Sequence, residues 1–213
     1  MRNTKALELL NAGRIDELKA LLRDEIYSDT LKTKPGAKQR YAAMKKYFTY
    51  HTSVREALQH PCEVEFEDKT YISFCNSWSL ALTREECGEI ELLDDPSRYP
   101  DVTKLIRFDG IKKKIDFNKI FAQARSLGYK LTKNEVGAGF KYLLFYDGGY
   151  FKIGLIEATF GIINDGEIPI TYHPSSGYTP LTIANDIGLC MIMPVRFEHD
   201  PKQDDDKIVI EVI

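Results

Sequence analysis

The side chains able to do chemistry are few and scattered. Histidines stand at 51, 60, 173 and 199, and no two have the spacing of metal ligands on a helix. Cys62, Cys75, Cys87 and Cys190 include no C-x-x-C pair, so neither a zinc ribbon nor a redox dithiol is indicated. Gly137-Ala138-Gly139 lacks the Lys-Ser/Thr that completes a phosphate-binding loop and reads as a flexible joint, and no G-x-S-x-G elbow is present. His173 with Asp165 and Asp186 is the one triple that turns could bring together for acid/base work, and a hydrogen-bonded loop histidine is the plainer account of it. Asp204-Asp205-Asp206 reads as a solvated tail. These residues give an enzyme nothing to rest on: the sequence predicts no catalytic residues, no metal site and no cofactor.

Charge is more informative. The chain of 213 residues carries 29 basic and 32 acidic side chains, a net charge of −3. That excludes a protein whose whole surface is adapted to nucleic acid. Residues 111–133 depart from this balance, with Lys112, Lys113, Lys114, Lys119, Arg125, Lys130 and Lys133 against Asp116 alone. Phe117, Ile120, Phe121, Ala124 and Leu127 follow helical spacing and Gly128 supplies a stop, so the spacing predicts an amphipathic helix over 111–128 with one basic side. Such a side either faces a phosphate backbone or is a solvated helix surface.

The elements that must position these residues are of both kinds. Hydrophobic residues make up 43% and charged residues 29%, the composition of a globular chain able to bury one or two cores. Residues 1–60 predict a helical segment: Ala6, Leu7, Leu9 and Leu10 stopped by Gly13, a second helix capped by Asp16, a polar loop around Pro35-Gly36, a helix through Tyr41, Met44, Tyr47 and Phe48, and a Ser53–Glu56 capping box. Residues 61–110 predict strands from the alternation of 62–67 and from 71–82, then an irregular connector over 88–110 that marks a domain boundary. Residues 111–213 predict a helix-containing antiparallel unit with turns at Asp147-Gly148 and Asn185-Asp186 and an edge strand near 208–213. The fold class expected is α+β. The charged N-terminus has no apolar core of a signal peptide, and the apolar run 187–195 is too short to span a bilayer, so no membrane partner and a cytoplasmic location are expected.

Three segments, in order, resemble the bacterial DNA sliding clamp, the β subunit of the replicative polymerase. Leu189-Cys-Met-Ile-Met-Pro-Val-Arg196, preceded by Pro180-Leu-Thr-Ile183, is similar to the clamp's C-terminal L-I-M-P-V-R ending. Tyr99-Pro-Asp-Val102 is similar to a Y-P-D segment entering the clamp's last domain, and the strand around 71–80 lies where the clamp runs into T-D-G-H-R-L, which Cys75-Asn76-Ser77-Trp78 replaces here. The resemblance implies a clamp-like α+β domain with an antiparallel sheet over 111–213, part of another repeat over 61–110, and no clamp counterpart for 1–60. It implies a non-catalytic DNA replication or repair module, a processivity-factor relative, that binds short peptide motifs and double-stranded DNA, with a homo-oligomer among its assemblies.

By the same resemblance, Trp78, Leu80, Pro100, Leu105, Met191, Met193, Pro194 and Val195 would line a peptide groove, with Lys104 and Arg196 at its rim. Lys112, Lys113, Lys114, Lys119 and Arg125 would face DNA. The alternative is an α+β interaction or structural domain with no DNA role, in which these apolar residues are ordinary core.

Overall fold

Strand β1 (Cys62–Phe66) begins a run of three antiparallel strands with β2 (Lys69–Asn76) and β3 (Ser79–Thr83). The β1–β2 turn is Glu67-Asp68, both at positive φ (49° and 58°), the two-residue turn whose twist matches its strands. The computed structural model describes residues 2–212 apart from 16, 20, 23–24, 26–31, 51–54, 86–87, 89, 109 and 174–178. Beyond β3 the sheet is continued by strands from the far end of the chain: β9 (Gly188–Ile192), β8 (Leu181–Ala184), β7 (Ile170–His173) and β4 (Ile111–Lys114). The result is one seven-stranded antiparallel sheet in the order β1-β2-β3-β9-β8-β7-β4. A three-stranded sheet holds β5 (Tyr142–Tyr146) between β6 (Gly149–Lys152) and β10 (Ile208–Glu211), with β10 parallel to β5. The fold is α+β, as the sequence predicts.

Helix α1 (Arg2–Asn11) ends at Gly13, whose φ of 69° is the left-handed stop expected of it. Helix α2 (Ala37–Tyr50) buries Met44 and Tyr47. It packs with α5 (Ile153–Phe160) on one face of the large sheet, against Phe74, Ala81, Cys190 and Ile192. The other face carries Cys75, Leu80, Leu82, Leu189 and Met191 under Leu58, Tyr99 and Val102. Central strands covered on both faces need apolar residues at consecutive positions. This is why 189–192 reads as an unbroken apolar run.

Several expectations change. The helix over 111–128 is a strand followed by a helix: β4 carries Lys112, Lys113 and Lys114, and α3 (Phe117–Ser126) starts at Asp116, whose carboxylate accepts the N–H of Lys119. Helical periodicity starts only at Phe117; the lysine run has none. The boundary placed at 88–110 falls within a single sheet, because β3 pairs with β9 across it. The connector is itself folded, with 3-10 turns at Pro96–Arg98 and Val102–Leu105. The turn at Glu56–Leu58 is preceded by Arg55 without a side-chain cap; Ser53 and Asp16 lie outside the described residues. Helix α4 (Lys133–Val136), capped by Thr132, was not signalled. Among the described residues no helix is long and apolar enough to cross a membrane.

A buried ion pair ties the helical layer to the sheet. Arg40, 1% exposed, sets its guanidinium against Glu85 with two contacts of 2.6 Å, and donates to the carbonyls of Pro35 (3.0 Å) and Asn164 (3.2 Å). Both charges are thus compensated where water is excluded.

Candidate functional site

Strands β2 and β3 are joined by a two-residue turn, Ser77-Trp78, that is fixed from beneath. The Asn76 side-chain oxygen accepts the N–H groups of Trp78 and Ser79, each at 2.8 Å. Ser79 is held in turn by the hydroxyls of Tyr47 on α2 (3.1 Å) and Thr159 on α5 (2.9 Å). With its backbone fixed this way, Trp78 points outward and is 59% exposed, although it is the chain's one tryptophan and its largest apolar surface. The N–H of Met193 donates to the Trp78 carbonyl at 2.9 Å, which sets Met193, 36% exposed, beside it. The chain then crosses to the small sheet, where Val195 N–H donates to Tyr150 O.

Cations flank this corner. The Lys152 ammonium lies 5.7 Å from the Trp78 ring centre and 4.5 Å from that of Phe140, and donates to Gly137 O at 2.7 Å. Lys207 stands over the same Phe140 ring at 4.6 Å and donates to Phe140 O. Burial, then the neighbouring Lys207, lowers the Lys152 pKa from its ordinary value. Phe197 packs edge-on against both Phe140 and Tyr150. Neither lysine is in an ion pair among the described residues. An aromatic and thioether surface with uncompensated ammonium groups suits an apolar anchor carrying a carboxylate.

The structure brings together only some of the residues expected to line a groove. Trp78, Met193, the half-buried Val195 and the exposed Arg196 share this corner of the fold. Leu80 and Met191 do not: they are cross-strand partners, 1% and 5% exposed, and face the connector, where Tyr99 and Val102 fill the space. Pro194 is buried as well. Pro100, Lys104 and Leu105 are exposed on the connector, Lys104 paired with Asp101 at 2.8 Å, and share no hydrogen bond, ion pair or ring contact with the Trp78 turn among the described residues. One groove through all ten is therefore corrected to an exposed corner, a core and a separate connector. Cover is the reason: residues two apart share a sheet face, but Tyr99 and Val102 lie over Leu80 and Met191, whereas Trp78 and Met193 stand just beyond the ends of β3 and β9.

The residues expected to face DNA are also divided. Lys112, Lys113 and Lys114 are exposed on the edge strand β4 and Lys119 on α3, while Arg125 pairs with Glu157 beneath α3. The acid/base triple falls partly outside the described residues. Asp165 accepts the N–H of Glu167, the Asp186 carbonyl accepts from Arg84, and the His173 side chain lies outside them. No cluster of three His, Cys, Asp or Glu side chains able to hold a metal occurs among the described residues. No local pattern signals the crevice of about 380 Å³ between α2, α3 and α5, floored by Ala43, Phe121, Ala158 and Phe160 with Lys46, Arg125 and Glu157 at its edge.

No protein-family model matches the chain, and no curated protein or solved structure matches it either.

Proposed function

We propose that this protein is a non-catalytic docking module, of the sliding-clamp kind, that binds a short partner peptide at the Trp78 corner. The observation that carries the reading is the exposure of Trp78 beside Met193 on a turn whose every anchor points inward. A soluble fold that only needed a tight turn would not spend a tryptophan on it, and exposed apolar surface of this kind marks contact sites. The flanking Lys152 and Lys207 select a peptide with an acidic side chain or a free C-terminal carboxylate next to an apolar anchor. The resemblance of 189–196 to the clamp ending directs the reading toward replication or repair proteins as partners. Contact with double-stranded DNA, through Lys112, Lys113, Lys114 and Lys119, rests on charge alone.

The test is a titration of Trp78 emission with a short peptide bearing Leu and Phe anchors and a C-terminal carboxylate. Binding at about micromolar strength is expected, the range of a small peptide that must be ordered on docking. Trp78→Ala, followed by calorimetry, and Lys152→Gln should each weaken it at least tenfold with the fold intact. Absence of any emission change at millimolar peptide refutes the assignment.

A further inference from the structure

A second docking place lies on the β1 edge of the large sheet and does not rest on the Trp78 reading. Strand β1 is an edge strand, paired only with β2. Phe66↔Lys69 closes the two-residue turn and is therefore a hydrogen-bonded pair, so alternation makes Val64↔Tyr71 and Cys62↔Ser73 hydrogen-bonded pairs too. The N–H and C=O groups of Glu63 and Glu65 consequently point away from the sheet. The nearest main-chain bond from the connector, Leu93 N–H to Pro61 O, stops one residue short of β1.

A slot of about 310 Å³ runs along this edge, with β1 residues 62–65 as one wall and Pro96, Pro100, Asp101 and Thr103 of the connector as the other. Four residues of strand give it a length of about 13 Å. We infer that this slot accepts an extended peptide segment as an eighth strand on β1, paired through the outward main-chain groups of Glu63 and Glu65, of which the Glu63 carbonyl meets only the weakly donating Cys62 thiol at 3.4 Å. A second copy pairing on this edge would set exposed glutamates of like charge against one another, so a basic single segment fits better than the edge of a second folded copy. Side-chain charge then selects the occupant. Glu63 and Glu65 are exposed on one face of β1, while Val64 between them is half-buried on the other. The matching segment carries Lys or Arg at alternate positions with an apolar residue between them.

The experiment follows amide exchange by NMR in the full chain, with a capped hexapeptide Thr-Lys-Val-Lys-Val-Thr and its Glu-for-Lys counterpart as probes. At millimolar concentration the basic peptide should slow exchange of the Glu63 and Glu65 amides at least tenfold, and leave that of Val64, already bonded to β2, almost unchanged. Glu65→Pro removes one outward N–H without touching the β1–β2 ladder and should weaken the peptide at least tenfold. Glu63→Lys with Glu65→Lys, both at exposed positions, should reverse the preference to the acidic peptide. Absence of protection, or equal protection by the two peptides, overturns the inference. So does protection of Glu63 and Glu65 that grows with protein concentration when no peptide is present, because the occupant would then be a second copy.

Discussion

Met191 and Met193 lie two residues apart on one strand exit, and the structure gives them opposite fates under the same substitution. Met193 is 36% exposed, so Met193→Asp forfeits only part of a methionine's burial, about 1–2 kcal/mol, and leaves the new carboxylate in reach of water. Met191 is 5% exposed, between Leu80 on β3 and Thr182 on β8. Met191→Asp loses about 2–5 kcal/mol of packing and adds an unpaired buried carboxylate at several kcal/mol more. The sum approaches the whole stability of an ordinary domain, about 5–15 kcal/mol. Urea unfolding followed by far-ultraviolet circular dichroism should therefore show Met193→Asp folded with a slightly lowered midpoint, and Met191→Asp largely unfolded before urea is added. In the peptide titration, Met193→Asp should lose binding while keeping its fold. Equal destabilisation by the two substitutions refutes the division between an exposed corner and a filled core.

Arg40→Met should destabilise by about 3–5 kcal/mol in urea unfolding, because Glu85 is left buried and unpaired, and adding Glu85→Leu should recover much of that loss. Lys152→Met should raise stability at neutral pH while weakening carboxylate-bearing peptides. Since folding lowers the Lys152 pKa, the cost of its charge is fully present at low pH and fades as pH rises toward 10.5, so the gain measured in unfolding curves should shrink over that range. Replacing Lys112, Lys113, Lys114 and Lys119 with Glu should abolish weak, salt-sensitive binding to duplex DNA in a fluorescence anisotropy titration, and unchanged binding would retire the DNA contact.

The parts of the fold legible in the sequence were those whose turns or alternation are set locally. Asp147-Gly148 marks its hairpin because both residues adopt positive φ, 46° and 78°, and β1 alternates because one of its faces is open. The β2–β3 turn carries no glycine or proline, so the sequence showed one interrupted strand where Asn76 folds two. β4 is not legible as a strand because an edge strand of three lysines has no apolar face to reveal a period of two. Arg40 looks like surface until its partner, 45 positions away, is known. For the site, Trp78 and Met193 are identifiable by type, but the flanking Lys152 ends β6 while Phe140 and Lys207 lie just before β5 and β10, and no local pattern places them beside Trp78.

The pairing of β3 with β9 also governs how the chain must be made. Leu80 meets Met191 only after all the residues between them have left the ribosome, and loop closure over such separations is slow. Until then the β1–β3 meander presents Ser79–Thr83 as a bare, apolar edge, a template for wrong partners. Any version shortened before Gly188 would keep that edge permanently, and should aggregate more than the chain of 213 residues.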